Sequence, residues 1–97
     1  MELMNDKLKK QILEADENNT KVICKFFYPM GRYTFYILSG YEQDDDLIMF
    51  GYCLSPITPD FDEYGYVSLK ELEGIPMMER DLYLPEGKTL EELGVEI

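Results

Sequence analysis

From residue 21 onward the apolar pattern of this chain changes from helical spacing to alternation, and three strand-like runs follow across short connections. Residues 21–28 (KVICKFFY) are rich in β-branched and aromatic side chains, with Val22, Cys24 and Phe26 expected on one face. Pro29-Met30-Gly31 reads as a turn, residues 32–41 (RYTFYILSGY) as a second strand, and residues 42–46 (EQDDD) as an acidic connection. Residues 47–54 (LIMFGYCL) are almost continuously apolar, the pattern of a central strand. Strands this close in sequence pair as neighbours, so the spacing predicts an antiparallel meander.

The flanking segments supply the helices. Asn5 is placed to cap a helix reaching about Ala15, with Leu8, Ile12 and Leu13 as a narrow apolar stripe. Residues 55–63 (SPITPDFDE) contain two prolines and three acids and read as an irregular loop, followed by a short strand over 64–67. Ser68 and Glu71 have capping-box spacing, and the helix they open is expected to end at Gly74 in a left-handed cap. Residues 81–84 (DLYL) resemble a final strand, and Thr89 with Glu92 repeats the capping box ahead of Gly94. The expected class is α+β: a small antiparallel meander of four to five strands with an N-terminal helix and two short capped helices. Ninety-seven residues form a single domain, 1–97, with no room for a second core.

Charge narrows the choice of partner. Twenty acidic residues face nine basic ones, histidine is absent, and the net charge is −11. Residues 51–97 hold eleven acids against three bases, so most of the excess lies in the second half. Binding nucleic acid through its phosphates needs clustered Lys and Arg, and anionic membranes make the same demand. The composition disfavours both and suits a protein with a basic surface. Cys24 and Cys53 lie in apolar runs without a CxxC pair and read as buried free thiols of a reducing compartment. With no basic, apolar leader at residues 1–6 and no membrane-length apolar run, a cytoplasmic location is expected.

Several acidic groups raise the question of metal. Asp60, Asp62, Gly65, Ser68 and Glu71 fall at positions 1, 3, 6, 9 and 12 of an EF-hand-like loop, but Tyr64 occupies position 5 and Pro56 and Pro59 bar an entering helix. Asp44, Asp45 and Asp46, joined by Asp60 and Asp62, form the alternative reading, a metal-dependent nuclease or hydrolase. Three consecutive aspartates point in different directions, and a solvated turn explains them more simply. Neither cysteine has a histidine base, and GxSxG and P-loop patterns are absent, so no catalytic residue and no cofactor is assigned. Arg80, in Glu79-Arg80-Asp81, is one of two arginines and is expected to pair with nearby carboxylates and hold the last strand. Tyr33, Tyr36, Tyr41, Tyr52, Tyr64, Tyr66 and Tyr83 lie in or beside predicted strands, where alternation turns some outward.

Three segments taken in order carry a resemblance. They are Asp44-Asp45-Asp46 with Phe50-Gly51-Tyr52-Cys53, then GYVSLKELE from Gly65 to Glu73 preceded by Tyr64, then Met78-Glu79-Arg80-Asp81-Leu82-Tyr83 with Lys88-Thr89-Leu90. Over about residues 20–95 the chain resembles a bacterial family known as domain of unknown function 2958. The resemblance implies an accessory protein carried on plasmids, phages or integrative elements, and implies no chemistry. Together with the charge it leads to an expected non-enzymatic interaction protein, an acidic nucleic-acid mimic of the anti-restriction or anti-CRISPR type being its narrower form. The expected partner-binding residues are Asp44, Asp45, Asp46, Asp60, Asp62, Glu63, Tyr64, Tyr66 and Arg80.

Overall fold

The computed structural model describes residues 2–97. It is α+β, with an N-terminal helix, a five-stranded antiparallel sheet and short helical elements. Helix α1 (Asp6–Glu14) starts where expected, because the Asn5 carboxamide oxygen accepts the Leu8 N–H at 2.8 Å. The strands are β1 (Cys24–Phe27), β2 (Thr34–Gln43), β3 (Asp46–Leu54), β4 (Glu63–Ser68) and β5 (Glu79–Arg80), in spatial order β4-β3-β2-β1-β5. The first four form the meander, and β5 returns to pair with β1. A 3-10 turn (Pro59–Phe61) interrupts the 55–62 loop, and α2 (Leu69–Glu73) follows β4.

Each face of the sheet carries a packed cluster. On one face Ile12 from α1, Leu72 from α2, and Leu3, Met4 and Met78 close over Cys24, Phe26, Phe35, Ile37, Leu47 and Met49. Gly40 permits this approach, since a Cβ there would stand 2.6 Å from the Ile12 Cγ2 and 2.7 Å from the Ile48 carbonyl oxygen. On the other face Leu84, Leu90, Leu93 and Val95 of the C-terminal segment cover Val22, Tyr36, Leu38 and Tyr52. Among the described residues no helix is long and apolar enough to cross a membrane.

Several local expectations need correction. Val22 does not share a face with Cys24 and Phe26: it precedes the ladder, bonds through its N–H to the Lys88 carbonyl, and packs in the second cluster. The connection between β2 and β3 is only Asp44-Asp45, both left-handed (φ 51° and 63°), and Asp46 already pairs with Gln43. Two-residue hairpins favour this geometry because its twist matches the strands. Non-glycine residues hold it at a cost, so Asp45→Gly is expected to raise stability by roughly 0.5–1 kcal/mol, read from the urea midpoint. Gly74 closes α2 with φ −80°, in the right-handed region, its N–H shared among the carbonyls of Lys70, Glu71 and Leu72.

The last strand lies at Glu79–Arg80, earlier than the expected 81–84, because the Asp81 carboxylate accepts the Tyr83 N–H at 2.9 Å and bends the chain away. The second capping box does form, with Thr89 and Glu92 exchanging hydrogen bonds of 3.0 and 3.2 Å. It opens only one turn, since Gly94 (φ +80°) and Val95 bond back to Glu91 and Leu90.

Candidate functional site

Strand β4 is an edge of the sheet, and its outward side chains continue an aromatic row begun on β2 and β3. Tyr64 pairs with Tyr52, and Tyr66 with Phe50. A bulge at Leu38 shifts the β2–β3 register by one residue, so that Ser39 faces Phe50 and Tyr41 faces Ile48. Without that extra residue Tyr41 would fall in phase with Phe35 and Ile37, toward α1. With it, Tyr41 meets Tyr66 edge-on at 6.3 Å. Phe50 stacks on Tyr64 at 6.0 Å and tilts against Tyr66 at 5.1 Å, while Tyr64 meets Tyr52 at 4.9 Å. Tyr52 is buried under the C-terminal segment, whereas Tyr64 and Tyr66 remain 47% and 67% exposed. Phe50 and Tyr41 were not among the expected binding residues; the Ser39-Gly40 break in apolar alternation is the signal that marks the bulge.

The acids divide into those engaged in structure and those left to solvent. Asp62 is of the first kind. The Arg32 guanidinium donates to both its carboxylate oxygens, at 2.7 and 2.8 Å, and also to the Ser55 carbonyl, while the Ser55 N–H donates to Asp62 at 2.7 Å. Only 9% of the Asp62 side chain is exposed. These hydrogen bonds, the guanidinium's above all, hold its pKa at about 2. The clamp ties the 55–62 loop and its 3-10 turn to the chain just ahead of β2, so the Asp62 carboxylate is engaged within the fold. Asp46 is also engaged: it accepts the Ser68 hydroxyl in a short hydrogen bond and the N–H groups of Lys70 and Leu47, joining β3 to the start of α2. The Ser68 hydroxyl is the first cause of its lowered pKa. Asp44, Asp45, Asp60 and Glu63 are exposed and form no ion pair among the described residues.

Because the folded pKa of Asp62 lies below the unfolded value near 4, its contribution is present above about pH 4 and lost as pH falls through about 2. Asp62→Asn should therefore lower the urea midpoint at pH 7 and flatten its fall between about pH 4 and 2. An acid limb unchanged by the substitution would count against the clamp.

Arg80 lies on β5, at the opposite edge from β4, and does not join the aromatic row. Its described hydrogen bonds go to the main-chain carbonyls of Leu3 (2.8 Å) and Glu2 (3.3 Å). It ties the N-terminal segment to the sheet.

The carboxylates of the metal-dependent reading do not converge. Asp44 to Asp46 lie at one end of β3 and Asp60 and Asp62 beyond the other, a separation of about 26 Å along its nine residues. The EF-hand-like spacing fails similarly, because Gly65 and Ser68 lie in extended β4, about 10 Å apart, and Asp62 is taken by Arg32. Among the described residues no three His, Cys, Asp or Glu side chains are placed to hold a metal ion. Cys24 is buried and Cys53 half-buried, and burial pushes their pKa values up to about 12 and about 11. Neither supplies thiolate near neutral pH.

A family model described as "Protein of unknown function (DUF2958)" matches residues 2–92. The chain belongs to this family. The match takes in α1 as well as the sheet, so the helix that packs on Gly40 is part of the DUF2958 unit. The family carries no assigned chemistry to transfer to the aromatic edge. No curated protein and no solved structure matches the chain.

Proposed function

We propose that this DUF2958 chain is a non-enzymatic interaction protein, an accessory of a bacterial mobile element, whose β3–β4 aromatic edge docks on a basic surface of a partner protein. The contiguous row in which exposed Tyr41, Tyr64 and Tyr66 surround a half-buried Phe50 is the observation that carries this reading. Rings of this kind offer large contact area at small entropic cost and are enriched at interfaces. Asp44 and Asp45 lie beyond one end of the row, with Asp60 and Glu63 beyond the other. A net charge of −11 steers a basic partner toward the chain and repels nucleic acid and anionic lipid. The narrower form of the proposal is a nucleic-acid mimic, in which these carboxylates take the place of phosphates in the groove of a host restriction or CRISPR nuclease.

Affinity capture from a host cell extract, followed by DNA competition on the captured protein, tests both levels. The expected result is a basic-surfaced partner retained at low salt and released at high salt. The mimic form requires that the chain and DNA displace one another from that partner. Retention indifferent to salt would remove the proposal, and simultaneous binding of chain and DNA would remove the mimic form.

A further inference from the structure

On the α1-bearing face, the sheet is left open at its β3–β4 end. Gly51 and Gly65 stand opposite each other in adjacent strands and contribute no side chains. Above them lies a hollow of about 300 Å³. Tyr33 and Phe35 wall it with rings 4.8 Å apart and tilted by 57°. Phe61, 63% exposed, overhangs it from the 3-10 turn that the Arg32–Asp62 clamp holds in place. Glu63 and Glu71 are its two acidic residues, beside apolar Ile37, Pro56 and Val67, and the lining contains neither lysine nor arginine. Both carboxylates are free of ion pairs among the described residues.

We infer that this hollow is a receptor for one cationic side chain, arginine or lysine, of the partner protein. The inference rests on the reading of a basic partner and adds a defined acceptor for one of its charges. Aromatic faces attract a cation through their quadrupole, and flanking carboxylates add charge-assisted hydrogen bonds. A neutral ligand would leave these two exposed glutamate charges unmatched, whereas a cation pairs with them. Gly65 leaves room for the incoming chain: a Cβ built on it meets nothing within 4 Å.

Amide NMR of the intact chain, titrated separately with N-acetyl-arginine amide, N-acetyl-lysine amide and neutral N-acetyl-norleucine amide, tests the inference. The basic probes should shift Gly51, Cys53, Gly65 and Glu71, and the neutral probe should not. A larger response to one basic probe assigns the side chain. Glu63→Gln with Glu71→Gln should weaken the response by roughly three- to tenfold. Gly65→Leu, which fills the hollow, should abolish it. No shift with either basic probe, an equal response to norleucine, or shifts that persist in Gly65→Leu would each overturn it. If the hollow ignores the probes while the captured partner still binds in a salt-sensitive way, the receptor fails alone. Salt-indifferent partner binding removes the broader reading.

Discussion

Replacing Gly51 by alanine is expected to destabilise the fold strongly, by about 3 kcal/mol or more. Gly51 is buried at the centre of β3, opposite Ile37, immediately before the Leu38 bulge. A Cβ there would stand 1.8 Å from the Tyr36 carbonyl oxygen and 2.8 Å from its carbonyl carbon. Those are backbone atoms of the adjacent strand, so no rotamer change relieves the overlap. The β2–β3 ladder would have to part at its middle. Overpacking ordinarily costs about 1–3 kcal/mol where side chains can yield, and a clash with backbone belongs at or beyond the upper end. For a chain of this length, about 3 kcal/mol lowers Tm by at least roughly 12 °C. Circular dichroism melting of Gly51→Ala beside Gly65→Ala, whose Cβ meets open space, provides the comparison. Equal melting of the two would contradict the close strand approach.

The second large effect is expected at Phe26. Its side chain is fully buried, and it sits in β1 between Phe35 on β2 and Arg80 on β5. It is the largest of the fully buried side chains, with Ile12, Ile37, Met49 and Leu72 the others. Truncation to alanine removes the ring and leaves a cavity that a two-layer core can only partly close, at a cost of about 3–5 kcal/mol. Domains of this size are stable by roughly 5–15 kcal/mol, so Phe26→Ala should be marginally folded or unfolded at 37 °C. Ile57→Ala, at a site 79% exposed, should fall within about 0.5 kcal/mol of the parent. Urea unfolding of the two variants reads the contrast directly.

Much of this architecture can be read along the chain because the responsible physics is local. Asn5 caps the helix beginning one residue later, and Ser68 caps α2 by accepting the Glu71 N–H three residues on. The apolar runs at 32–41 and 47–54 appear as β2 and β3 with shifts of only a few residues. What the sequence hides depends on distant groups. β5 has two residues, too few to show any period, and its arginine bonds to carbonyls 77 and 78 positions away. Asp62 reads as a free loop acid until Arg32, thirty residues earlier, is placed beside it. The same holds for Asp46 and Ser68, twenty-two residues apart. The aromatic edge was half legible: Tyr64 and Tyr66 stand out in a short strand, whereas Tyr41 joins them only because a bulge reverses the face of β2.

These long-range pairings change which acids matter at the edge. With Asp46 and Asp62 engaged in structure, the carboxylates that the proposal offers to a partner are Asp44, Asp45, Asp60 and Glu63, with Glu71 at the hollow. The most direct test is the affinity of the captured partner for the parent chain and for Tyr64→Ser/Tyr66→Ser, each measured at low and high salt. The account predicts affinity that falls steeply with salt for the parent and is largely lost in the double variant. Circular dichroism melting of that variant, which loses the ring contacts to Phe50, Tyr52 and Tyr41, verifies that it is folded at the assay temperature. Affinity that is insensitive to salt, or unchanged in the double variant, would contradict it.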